Sequence, residues 1–150
     1  MNTQRFSALG ALLITSLVSC SESPPTFHAD INPSRLSDWG LFDLSDESLT
    51  PTQFNMVYRP ANQLFSDYAQ KLRTIWIPEG AQARLIGEEL SYPVGTVVSK
   101  TFYYPRDDAG NLQRLEEVVA ESIDLSTNQL IETRLLVKRS AGWEAFPYVW

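Results

Sequence analysis

The sequence predicts a mainly β protein: an antiparallel β-sandwich-like domain with one or two short helices. Three observations carry this. The segment "LIETRLLVKR" alternates strictly, with Ile131, Thr133, Leu135 and Val137 on one side and Glu132, Arg134, Leu136 and Lys138 on the other. That is the pattern of a strand with one buried and one solvated face. Runs rich in β-branched and aromatic residues recur at near-regular spacing between turn residues, enough for roughly five to seven short strands. Finally, 43% hydrophobic residues, including seven Phe, six Tyr and four Trp in a chain of 150, supply the core of one domain.

Taken in order, "RLSDWGLF" forms one helical turn, with Ser37 and Asp38 as candidate caps and Gly40 as its stop. Residues 43–53 are polar and read as loop. "NQLFSDYAQKLR" places Leu64, Tyr68 and Leu72 at i, i+4 and i+8 behind Asn62, a short amphipathic helix pattern. "RTIWIPEG" switches to strand and stops at Pro78-Glu79-Gly80. "ARLIGEELSYPVGTVVSKTFYYP" reads as two more strands, punctuated by Gly87 and the Pro93–Gly95 turn. "RDDAGN" is loop. "LQRLEEVVAESIDL" fits two templates. Leu112, Leu115, Val119 and Ile123 suit a helix face, whereas Val119, Glu121, Ile123 and Leu125 suit a strand. The "STN" turn that follows favours a hairpin with residues 130–139. "SAG" then turns the chain, and "WEAFPYVW" returns as the partner strand.

The amino-terminal region has a different character. "MNTQRFSALGALLITSLVSC" starts with a positive charge at Arg5 and continues into an uncharged apolar run, Ala8 to Val18. The run is short for a bilayer span and has the length of a secretory signal's hydrophobic region. Leu17-Val18-Ser19-Cys20 resembles the bacterial lipobox, so residues 1–19 are expected to be a lipoprotein signal peptide and Cys20 a lipidation site. Cys20 is the only cysteine, so no disulfide forms within the chain. Acyl chains contribute about 0.8 kcal/mol per buried methylene, and stable anchoring needs two chains or signals. Ser21 stands where an Asp would retain the protein at the inner membrane, which favours the outer membrane and a periplasmic face. Residues 20–35, with Pro24-Pro25 and Asn32-Pro33, read as a lipidated, extended tether. Residues 36–150 form the β-rich domain.

Composition and motifs exclude several chemistries. A formal charge of -6 argues against nucleic acid as a partner, because phosphate neutralisation needs a basic face. The lone histidine, His28, lies in the tether, a poor place for a catalytic base. One His and one lipidated Cys leave no zinc or copper set. Cys-x-x-Cys-His is absent, so no covalent haem attaches here. The pairs Glu88-Glu89, Asp107-Asp108 and Glu116-Glu117 lack a shared face or a calcium-loop spacing and read as solvated charge. "GTVVSKT" lacks the Gly before Lys of a phosphate loop. No catalytic, cofactor-binding or metal residue is assigned. Two sets stay open. Lys100 and Arg134 form either a buried ion pair with Glu132, Glu144 or Asp67, or a charge ladder on a wet sheet face. Trp76, Tyr103, Tyr104 and Trp143 either fill the core or stack a sugar or a partner.

"LSDWGLF", "LFSDYAQKLR", "YPVGTVVSKTFYYP" and "LIETRLLVKRSAGWEAFPYVW" together resemble, in order, the N-terminal region of a family of bacterial exported proteins related to c-type cytochromes, including di-haem members. The resemblance spans about residues 36–150. It implies a lipid-anchored, non-catalytic N-terminal module, a scaffold for electron transfer. A redox protein or a missing C-terminal domain would be its partner, and haem c is expected only in longer members. It also implies truncation at the C-terminus, with an unpaired edge near Tyr148–Trp150. The alternative is a free-standing extracytoplasmic binding lipoprotein for a carbohydrate or protein partner. A hydrolase is a third and weaker reading.

Overall fold

The computed structural model describes residues 23–150. The expected signal peptide, residues 1–19, and the lipidation site Cys20 lie outside the described residues. The mainly β, antiparallel, sandwich-like expectation is met. Ten strands are present among the described residues, several only two or three residues long. They are β1 (Phe42–Leu44), β2 (Ser48–Pro51), β3 (Met56–Val57), β4 (Gln70–Trp76) and β5 (Arg84–Ile86). The second half holds β6 (Glu89–Ser91), β7 (Val97–Pro105), β8 (Ile123–Asp124), β9 (Asn128–Arg139) and β10 (Gly142–Val149). A five-stranded sheet has the order β10-β9-β7-β4-β3, a three-stranded sheet the order β1-β2-β8, and β5-β6 is a separate hairpin.

The small sheet covers one face of the large one. Leu49 of β2 and Ile123 of β8 pack with Leu72, Tyr103 and Leu130 of β4, β7 and β9. At the other end Trp39 and Leu41 pack with Trp76, Val97, Leu135 and Val137. Burying each such side chain contributes about 1.5–3 kcal/mol. Between the two clusters runs a row of buried hydroxyls. Thr74 pairs with Ser99 at 2.7 Å and Thr101 with Thr133 at 2.8 Å, and the Trp150 indole donates to Thr133 at 3.0 Å. β-Branched threonines suit the pleat, and each hydroxyl satisfies another, so the polar strip is not an orphaned one.

Several local expectations need correction. The helix expected over residues 62–73 is absent. Asp67 and Tyr68 have φ of 48° and 63°, which no right-handed helix tolerates, and they form a tight turn that feeds β4. Residues 43–53 are not loop: β1 and β2 pair there as a hairpin. The segment "ARLIGEELSYPVGTVVSKTFYYP" makes three strands rather than two, because Gly87 turns β5 back on β6 and the Pro93–Gly95 turn separates that hairpin from β7. Residues 112–125 form neither a helix nor a hairpin with β9. Only Ile123–Asp124 is strand, and it pairs with β2 in the other sheet. The helical turn at "RLSDWGLF" is present as a 3-10 turn, Leu36–Trp39, ended by Gly40 at φ 64°. Its caps differ from expectation, for Ser37 and Asp38 lie inside the turn and Arg35 occupies the N-cap without a side-chain bond.

The alternation in β9 also breaks once. Phe102 faces Glu132 but Tyr103 faces Leu130, so Ile131 is an extra, bulged residue and is exposed. Leu130 takes the buried place that strict alternation assigns to Ile131.

Residues 23–35 run extended, as the Pro content predicts, and lie as a strap against the sheet. Thr26 donates to the Trp39 carbonyl at 3.0 Å. Arg139 donates to the carbonyls of His28 and Ala29 and to Asn32 Oδ1. The Tyr148 hydroxyl donates to the Pro33 carbonyl at 2.7 Å and accepts from the Trp39 indole at 2.8 Å.

Candidate functional site

The outer face of the large sheet, away from the small one, collects charge that is scattered in the sequence, with Lys71 and Arg73 buried at one side of it. Strand pairing sets Arg73 opposite Lys100 and Lys100 opposite Arg134, three cations side by side on one rung. Like charges directly opposite one another are destabilising, so such a row needs a compensating anion. Two are present. Glu117, in the chain leading to β8, meets Lys71 at 2.5 Å and Arg73 at 2.7 Å. Glu132 meets Arg134 at 2.5 Å. Lys100, in the middle, forms no ion pair among the described residues; its ammonium and the Arg134 guanidinium each sit 4.9 Å from the centre of the Phe102 ring.

Protonation follows this layout. Burial lowers the Lys100 pKa from its ordinary value, and Arg73, Arg134 and Lys71 push it the same way against Glu132. Burial alone would raise Glu117, but hydrogen bonds from Arg73 and Lys71 outweigh it, and the carboxyl lies below its ordinary value. Tyr58, whose amide donates to the Arg73 carbonyl, is raised by burial although Arg73 pulls it down.

One step along the same face the character changes. The next rung is Ile75, Val98 and Leu136, without a charge. It floors a groove of about 620 Å³ whose walls include Met56, Leu90 and Trp143. Leu90 comes from the β5-β6 hairpin, which overhangs one side. Trp143 meets Tyr92 edge-on at 5.7 Å, with the Lys138 ammonium 5.6 Å from its ring centre. Such a volume lies within the roughly 300–1,000 Å³ of small-molecule sites.

The sequence-derived candidates divide accordingly. Trp76 and Tyr103 are core, and Tyr104 donates to the Asp67 carbonyl at 2.9 Å. Trp143 stands on the groove wall. Lys100 and Arg134 form the ladder on a solvated face, while Glu144 pairs with Arg139 and Asp67 with Arg114 instead. His28 bonds the Asp38 carbonyl at 3.0 Å and lies edge-on to Trp39, a structural role in the strap. Asp107 accepts hydrogen bonds from Ala109, Asn111 and Gln113, which closes its loop and lowers its pKa, chiefly through Asn111. Glu117 alone of the paired acids is drawn into the site. Among the described residues no group of three or more His, Cys, Asp or Glu could hold a metal, and no helix is long and apolar enough to cross a membrane. Lys71 and Arg73 have no signal in the sequence, because only strand register makes them neighbours of Lys100, and Glu117 reaches them from the chain between β7 and β8.

A second cavity, of about 340 Å³, opens at the mouth between the sheets, lined by Phe42, Leu49, Tyr148 and Trp150. It carries Arg35 at its rim and no pair of charged groups. No family model, curated protein or solved structure matches this chain, so the cytochrome-like resemblance rests on its sequence blocks alone.

Proposed function

We propose that this chain is a lipid-anchored, non-catalytic binding module of the bacterial cell envelope, with the outer face of the five-stranded sheet as its working surface. One observation carries the reading: an apolar groove lies one rung from a crowded cation row, in a chain whose net charge is -6. Apolar area left open beside unpaired charge is costly in a free protein and marks a binding surface. Growth with an alkynyl fatty acid tests the anchor. Label and membrane association are expected for the full chain and lost in Cys20→Ser; an unlabelled, soluble parent chain overturns the envelope reading.

The second reading is the N-terminal scaffold of a c-type cytochrome-like protein. It is favoured by β10, which among the described residues pairs only with β9. The Trp150 amide bonds the Ile131 carbonyl, so by alternation Trp143, Ala145 and Val149 turn their N–H groups away from β9. Pro147 shares that outward side, where its missing N–H costs nothing. A strand from a redox partner could add to this edge. Copurification of a haem protein with the full chain, abolished by Ala145→Pro, would support it. Haem retained equally by that variant would sink it.

A further inference from the structure

We propose that the outer-face groove binds a long-chain fatty carboxylate, with its head at Lys100 and its chain laid over Ile75, Val98 and Leu136 toward Trp143. The proposal rests on the binding-module reading and names the ligand class of that site.

The head group follows from charge. The row and the rung beside it hold Arg73, Lys100, Arg134 and Lys71 against Glu117 and Glu132. Glu117 is shared by Lys71 and Arg73, and Glu132 is taken by Arg134. Lys100 is the cation left over, flanked on both sides by guanidinium groups. A single negative head beside it relieves both repulsions.

The tail follows from what the groove lacks. Its floor is the face of a sheet, whose backbone N–H and C=O groups are spent within the ladder, so an acidic peptide finds no main-chain partners there. The floor residues offer no hydrogen-bonding side chain for a sugar hydroxyl, and the polar groups of the lining, from Tyr58, Tyr92 and Trp143, belong to the walls. An alkyl chain needs neither. Arg134 and Lys138, which faces Trp143, are four residues apart on β9, about 14 Å at roughly 3.4 Å per residue. An extended chain of ten or so carbons covers that distance.

The test uses the full chain in phosphatidylcholine nanodiscs. The probes are 11-bromoundecanoate and 11-bromoundecanol, whose terminal bromine quenches a tryptophan only on contact. The Trp143 signal is the difference between the parent and Trp143→Phe. We expect saturable quenching of Trp143 by the acid, at least tenfold tighter than by the alcohol. In Lys100→Met the acid should weaken to the level of the alcohol. That variant removes like-charge repulsion and keeps the aliphatic stem, so it should fold at least as well as the parent. Leu136→Asp, with unchanged near-ultraviolet circular dichroism, should abolish both. Equal binding of acid and alcohol, or an unaltered Lys100→Met, overturns the anionic head and leaves an apolar binding module. No quenching, with a concentration-dependent dimer that Leu136→Asp dissolves, overturns the fatty ligand in favour of a second copy of this chain. Failure of the lipid-anchored envelope reading is separate and shows as an unlabelled, soluble parent chain in the labelling experiment.

Discussion

Replacing Glu117 with Gln tests the electrostatics of the large sheet. The Lys71 and Arg73 side chains are only 4% and 9% exposed, and Glu117 is 14% exposed. Breaking a buried pair by removing one partner costs about 3–5 kcal/mol, because an uncompensated charge stays behind. Here two cations lose the same carboxylate. Glutamine keeps one acceptor, and the partial exposure of the site admits water, which together bring the expected loss to about 2–3 kcal/mol. That is a large fraction of the roughly 5–15 kcal/mol by which domains are stable. The pH dependence adds a sign. The folded pKa of Glu117 is depressed from 4.5, so its contribution is full above that value and is lost as pH falls through the folded pKa. Guanidinium unfolding, followed by tryptophan fluorescence at pH 7, 4 and 3, should show the gap between parent and Glu117→Gln at its widest at pH 7 and narrowing with acid. A gap below about 0.5 kcal/mol at pH 7, or one that widens on acidification, would refute the reasoning.

Three further outcomes are expected. Tyr148→Phe strips the Trp39 indole N–H of its acceptor and frees the Pro33 carbonyl, at about 1–3 kcal/mol, and hydrogen exchange at Thr26 should quicken. Gly95→Ala should destabilise by about 1–3 kcal/mol in thermal unfolding, since Gly95 has φ of 95° and an added Cβ would lie 2.7 Å from the Pro78 ring. Leu72→Ala, at a site with no exposure, should cost about 2–5 kcal/mol in chemical denaturation, whereas Leu136→Ala on the open face should change stability far less.

The long strands were legible because each buries alternate residues. Thr133, Leu135 and Val137 are buried where the period of two puts them, and "WEAFPYVW" does return against them. The failures have local causes. Leu64, Tyr68 and Leu72 share helical spacing by coincidence, and the left-handed turn at Asp67-Tyr68 leaves no trace in hydrophobic pattern. The β1-β2 hairpin escaped because Leu49 is its only fully buried residue, too little for periodicity to register. The bulge at Ile131 moves one residue out of phase, which an alternation count cannot anticipate. The cation row was half legible. Lys100 and Arg134 stood out within their strands, but their alignment with Arg73 is a property of register, and register depends on turns and bulges elsewhere.

The strap sets where the amino-terminal chain leaves the domain. Among the described residues the strap is already docked at Pro25, which is buried, and Thr26 donates to the Trp39 carbonyl. Phe27 lies against Gly95, where the β5-β6 hairpin rejoins the sheet, and Pro25 against Gly40, which ends the 3-10 turn. Were Cys20 acylated, the docked Pro25 and Phe27 would turn the Gly40 and Gly95 end of the domain toward the membrane. The β5-β6 hairpin, which leads into β7 through Gly95, would then lie on the side of the domain nearer that anchor.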